Sequence, residues 1–97
     1  MFRYPDIMNN TAHNLWDLGR IIRETRRAQR MTQAELAQKA RVSRSFIIGL
    51  ERGTNQGAEA GRIFLVLKAL GLRLTVEEDT SPTFEEAFQD LLAQGLK

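Results

Sequence analysis

At 97 residues and 42% apolar composition, the chain holds a single domain whose core is only marginally buried at this size, which points to further burial by dimerisation. It has no cysteine, which excludes disulfides and thiolate metal sites and fits a reducing cytoplasm. No apolar run approaches membrane-spanning length and the opening MFRYPDIMNN lacks a signal-peptide core, so a cytoplasmic protein with no membrane association is expected. The net charge of +2 conceals an asymmetry: residues 1–73 carry 13 Lys/Arg against 6 Asp/Glu, and residues 74–97 carry one Lys against 6 Asp/Glu. A basic body suits phosphate binding, because neutralising phosphates releases counterions. The acidic tail suits a protein partner or simple solubility.

Residues 1–13 are polar and turn-rich, and read as a flexible arm or as a segment that docks on a partner. From Asn14 or Leu15 to Arg30 the pattern is helical, with Leu18, Ile21, Ile22, Thr25 and Ala28 within one arc. Arg20, Arg23, Arg26, Arg27 and Arg30 take the other side, where a solvated face and a phosphate-binding face explain the stripe about equally well. Arg30 is the best placed for phosphate, since it precedes the next helix directly. Arginine serves bidentate phosphate contacts and ion pairs alike, so composition does not separate those uses.

The stretch TQAELAQKARVSRSFIIGLERG, Thr32 to Gly53, reads as two short capped helices joined by a tight turn. Thr32 and Glu35 have capping-box spacing, in which the hydroxyl takes the Glu35 amide and the carboxylate reaches back to the Thr32 amide. Ser43 supplies a second N-cap, and Gly53 a stop. Leu36, Ala37 and Ala40 share one face of the first helix, Ile47 and Leu50 one face of the second, and Val42 plugs the turn between them. Two short helices over an apolar wedge form a helix-turn-helix, whose second helix is free to enter a major groove. An ordinary helical hairpin without a ligand is the plainer reading of the same pattern.

The stretch resembles the helix-turn-helix of the lambda repressor/Cro (Xre-type) family in the form M-T-Q-x-E-L-A-x-K-A-x-V-S-R-S-x-I-x-x-L-E-R-G, every fixed letter of which stands between Met31 and Gly53. The likeness extends less specifically from Leu18 to Leu72. It implies that Gln33 caps the first motif helix against a DNA phosphate, and that Ser43, Arg44 and Ser45 open the recognition helix towards base edges. Gly49 departs from the polar or basic residue usual there, which puts base contact from that turn in doubt. Ile48, apolar on the expected DNA face, suits a thymine methyl or packing equally.

After Gly53, Thr54 and Asn55 lie in a loop, with phosphate contact and a plain loop role equally open. The full expected DNA-facing set is Arg30, Thr32, Gln33, Ser43, Arg44, Ser45, Arg52, Thr54 and Asn55. A helix is expected from about Ala58 to Leu70, with Ala60, Ile63, Val66, Leu67 and Leu70 on one face, Phe64 at its edge and Leu65 nearly opposite. Apolar side chains all round imply cover on more than one side, most simply by a second subunit. Past Gly71, Leu72, Leu74 and Val76 alternate with Arg73, Thr75 and Glu77, which predicts a half-buried strand over 72–77. A lone strand needs a partner for its amides and carbonyls, and the same strand of a second copy across a two-fold axis is the economical one. The dimer contact is therefore expected at Leu65, Leu72, Leu74, Thr75 and Val76.

A helix-turn-helix domain closed by A-L-G-L-R-L-T-V resembles the HipB-type antitoxins. That resemblance implies C-terminal strands paired between subunits, repression of the protein's own operon, and neutralisation of a HipA-like serine/threonine kinase toxin. In the tail, Thr83 and Glu86 form a second capping-box pair, with Phe84, Ala87, Phe88, Leu91 and Leu92 along one helical face. A helix this short is marginal alone and should dock, either on its own domain or dimer mate, or on the toxin through Phe84, Phe88 and Leu91.

Catalysis finds no support: His13 is the only histidine and there is no thiol or Gly-rich phosphate loop, so no triad, transition-metal site or cofactor is expected. The reading is an all-α, compact helix-turn-helix bundle of four to five helices with one C-terminal β-strand pairing across a homodimer. It divides into an arm at 1–13, a DNA-binding domain at 14–79 and an acidic tail at 80–97. The expected function is a palindrome-binding repressor that is also an antitoxin. The alternatives are a free-standing regulator, of phage-repressor or restriction-modification-controller type, and an interaction module that no longer reads DNA.

Overall fold

The computed structural model describes residues 11–78 and 84–95, which contain five helices and no strand. Helix α1 spans Leu15–Ala28, α2 Gln33–Ala40, α3 Arg44–Arg52, α4 Ala60–Ala69 and α5 Phe84–Gly95. Local chemistry sets the starts. The Asn14 side chain accepts the Asp17 amide at 2.8 Å, and Asp17 lies in the first turn, where the helix dipole favours an anion. Thr32 and Glu35 complete the capping box at 3.0 and 2.9 Å, and Ser43 accepts the Phe46 amide at 3.0 Å.

The ends of α1 to α4 share one device: a left-handed residue turns the chain, and the next amide reaches back five residues. Arg30, Arg41, Gly53 and Gly71 have φ of 57°, 60°, 71° and 75°. The amides of Met31, Val42, Thr54 and Leu72 donate to the carbonyls of Arg26, Ala37, Gly49 and Leu67. Glycine supplies this conformation at no steric cost. At Arg30 and Arg41 the cost falls on arginine, and because Arg30 is left-handed α1 ends at Ala28, two residues before the expected Arg30.

The core joins Ile22 of α1, Leu36, Ala37 and Ala40 of α2, Phe46, Ile47 and Leu50 of α3, and Val66, Leu67 and Leu70 around α4. Val42 packs against it from the turn, as its wedge position requires, and so does Leu72. Helix α1 crosses α3 so closely that a Cβ on Gly19 would stand 2.2 Å from the Leu50 carbonyl oxygen. The Trp16 ring rests on Gly53, where no side chain fits, and its Nε1 donates to the Arg52 carbonyl at 3.1 Å.

Residues 72–78 differ from the expected strand. They carry no regular structure, because a ladder needs a second strand and the single chain offers none among the described residues. Leu72 is half-buried against the chain's own core, while Leu74 and Val76 are exposed, as are Phe64 and Leu65 on the outer side of α4. Every described side chain of α5 is exposed as well, including Phe88, Leu91 and Leu92, so no described face of the helix is buried in the core. The arm up to residue 10, the Thr83 cap and the Phe84 side chain lie outside the described residues.

Candidate nucleic-acid interface

The turn at Arg41–Ser43 leaves the start of α3 standing clear of the core, with Arg44 and Ser45 exposed on its first turn while Phe46, Ile47 and Leu50 anchor the helix from behind. An arginine presented at this point has the planar fork that matches guanine O6 and N7. Ser43 is exposed too; its oxygen accepts the Phe46 amide, which leaves its hydroxyl proton and one lone pair for DNA. Ile48 is half-buried, intermediate between the packing and base-facing roles.

The loop that follows α3 lies beside Gly49: a Cβ there would stand 3.4 Å from Asn55 Cβ and 3.7 Å from Thr54 Oγ1, ordinary contact distances, so space does not impose glycine at this position. That loop folds back on α3: the Thr54 amide and hydroxyl both donate to the Gly49 carbonyl, at 3.1 and 3.3 Å. The Thr54 hydroxyl thus serves the loop. Asn55 is half-buried, and its carbonyl accepts the Ala58 amide.

At the start of α2, Thr32 is exposed with its side-chain oxygen held in the capping box. The bonds from the Thr32 amide and hydroxyl hold the exposed Glu35 carboxyl below the ordinary carboxylate range. Gln33 is half-buried, and its Nε2 donates to Glu51 Oε1 at 3.2 Å.

Glu51 is the residue that pattern reading passed over. Its carboxylate is 3% exposed and takes both forks of Arg26, from Nε at 2.7 Å and Nη2 at 3.0 Å. Arg26 Nη1 donates to the Met31 carbonyl at 2.7 Å, so one guanidinium ties α1, the chain entering α2, and α3. Arg26 therefore leaves the solvated stripe in which its spacing placed it. The available signal is that Arg26 lies four residues after Ile22, at the border of the apolar arc. Its partner, 25 residues on, has no local signature.

Arg23, Arg27, Arg30, Arg44 and Arg52 are exposed. Arg20 pairs with Glu24 at 3.3 Å on the surface of α1, a contact of small energetic weight. No helix among the described residues is long and apolar enough to cross a membrane, and no group of His, Asp or Glu among them is arranged to hold a metal ion.

A family model described as helix-turn-helix (HTH_3) matches residues 22–76, more than half of the chain. A search of the curated proteins finds no match.

Proposed function

The chain belongs to the helix-turn-helix family, in its lambda repressor/Cro (Xre-type) form, and is a DNA-binding regulator; from that premise we propose that it is a dimeric repressor of a palindromic operator and the antitoxin of a HipBA-like pair. Its action on this reading is binding alone, in the cytoplasm, without catalysis. The observation that carries the DNA half is the first turn of α3, with Arg44 and Ser45 presented to solvent and the apolar residues that follow them anchored in the core. Gln33, Arg30 and Arg52 lie in the flanking segments as phosphate contacts, which position without specifying sequence.

Dimerisation is supported by apolar surface with no cover among the described residues: Leu65 on α4, and Leu74 and Val76 on a segment without regular structure, with Thr75 between them. Pairing residues 72–77 with the same residues of a second copy would satisfy their backbone groups and set two recognition helices apart for two half-sites. The antitoxin half rests on the likeness of A-L-G-L-R-L-T-V to HipB-type proteins and on the exposed, acid-flanked stripe of α5, where Phe88 and Leu91 would meet a HipA-like kinase.

Binding-site selection from random duplexes tests the first half, with an enriched palindrome expected. Arg44→Ala should then lower the ratio of specific to random-site affinity by roughly ten- to a hundredfold, the worth of one bidentate base contact, while weak general binding persists. An unchanged ratio removes Arg44 from base reading. The neighbouring gene tests the second half. A HipA-like kinase whose growth arrest is relieved by co-expressing this chain supports the antitoxin reading; a neighbour of another class leaves a free-standing regulator.

A further inference from the structure

The DNA-binding reading leaves one buried group unused, the carboxylate of Glu51. We propose that Glu51 is a positioning residue for DNA-backbone contact: it presets the amide of Gln33 towards a phosphate, and Arg26 neutralises it so that it does so without repelling the DNA. The inference rests on the DNA-binding reading above and adds a residue and a mechanism to it.

A glutamine at the first position of a helix has three rotatable bonds, and ordering them on binding would weaken each contact it makes. Here the ordering is done before DNA arrives. Gln33 Nε2 donates one of its two hydrogens to Glu51 Oε1 at 3.2 Å, and the second hydrogen remains for a phosphate oxygen. The acceptor is itself fixed, since both Glu51 oxygens are held by Arg26 at 2.7 and 3.0 Å and the carboxylate is 3% exposed.

The charge matters as much as the geometry. A carboxylate this far from water is poorly screened, and alone it would oppose any phosphate brought to Gln33. The bidentate guanidinium cancels it at contact distance, so the unit offers a neutral donor on a rigid mount. Glu51 also lies on α3, two helical turns after Arg44. One carboxylate therefore registers the phosphate contact of α2 against the base-reading start of α3, and a shift of either helix disturbs both. Glu35, the other acid near Gln33 in sequence, is committed to the Thr32 cap.

A double-mutant cycle in DNA affinity tests this, with the full chain, the selected operator and a random duplex. The perturbation is the paired variant Arg26→Met with Glu51→Leu. It removes the acceptor and its counter-charge together and leaves no buried charge unpaired, so the fold is retained. Thermal denaturation confirms that each variant is assayed well below its midpoint. In the natural background Gln33→Ala should weaken binding to both duplexes alike, by roughly ten- to a hundredfold, as for a hydrogen bond to a charged group. The paired variant should show a similar uniform loss, and adding Gln33→Ala to it should cost less than about threefold more. If Gln33→Ala costs the same factor in both backgrounds, Glu51 holds the helices together but does not position Gln33. If Gln33→Ala is silent in the natural background while the wild type binds its operator, there is no contact to position and the proposal falls alone. A wild type without DNA affinity overturns the binding reading itself.

Discussion

The two ends of this chain use the same kinds of residue to different effect. Between Thr32 and Gly53, both helix starts are capped, both ends close through a left-handed residue, and Leu36, Ile47 and Leu50 are buried. Between Leu72 and Gly95, Leu74, Val76, Leu91 and Leu92 are exposed and residues 72–78 have no ladder partner among the described residues. The first region is complete within one chain. The second has apolar periodicity of similar quality, yet most of its apolar side chains are exposed among the described residues, surface that the proposed function uses for association.

The sharpest way to break that contrast is at Thr75. Thr75→Pro removes a backbone donor and fixes φ, which a free segment tolerates and a paired strand does not. The expected result is a folded monomer by sedimentation, with an unchanged helical signal and operator affinity lower by about a hundredfold or more, since two linked half-site contacts become one. A wild type that sediments as a monomer at micromolar concentration would refute the pairing before any variant was made.

The self-sufficient region is tested at its closest approach. Gly19→Ala places a methyl group against the Leu50 and Glu51 carbonyls, backbone atoms that cannot rotate away, so α1 must move off α3. The expected cost is about 1–3 kcal/mol, an ordinary overpacking penalty. In a domain this small each ~1 kcal/mol lowers the thermal midpoint by several degrees. Because Gly19 lies within a helix, where alanine is otherwise favoured, an unchanged or raised midpoint would show that the two helices are not in this register.

A smaller effect is expected at the Thr32–Glu35 cap, and it depends on pH. The carboxyl of Glu35 is held below its ordinary range in the folded protein, so its contribution is present above the unfolded value and is lost as pH falls through the folded one. Glu35→Gln should therefore lower the thermal midpoint slightly at neutral pH, and the difference should vanish in acid below the carboxylate range. A difference that persists unchanged into acid assigns the effect to something other than the charged cap.

The smallest expected effect is that of removing residues 80–97. With the described side chains of α5 exposed, truncation should move the thermal midpoint by less than a few degrees and leave operator binding intact. A fall of several degrees would mean that the α5 stripe covers the protein's own core. Loss of affinity for a kinase partner without such a fall is the result expected of an association segment.

Much of the candidate site was readable before folding. The caps at Thr32 and Ser43, the wedge at Val42 and the exposure of Arg44 follow from side chains acting on backbone within four residues, or from one face of a short helix. Arg26 shows where that reasoning stops. By spacing it belongs with Arg23, Arg27 and Arg30, and only the approach of α3 turns it from a solvated cation into the half of a buried pair that holds Glu51 and, through it, Gln33. Gly49 likewise reads as a missing DNA contact in sequence, and only the fold shows its carbonyl holding the amide and hydroxyl of Thr54.

What the amino-acid order determined by itself is therefore local: where helices start, which faces are apolar, and which residues head α3. Hydrogen bonds within a turn and periodicity along a helix are properties of neighbours in sequence. Tertiary structure decided which buried charges pair and where Trp16 rests. It also decided that Leu72 packs against the chain's own core while Leu74 and Val76 are exposed. These outcomes depend on surfaces that meet across 25 or more residues, or on the limit of the core where α4 ends, and sequence spacing carries no record of either.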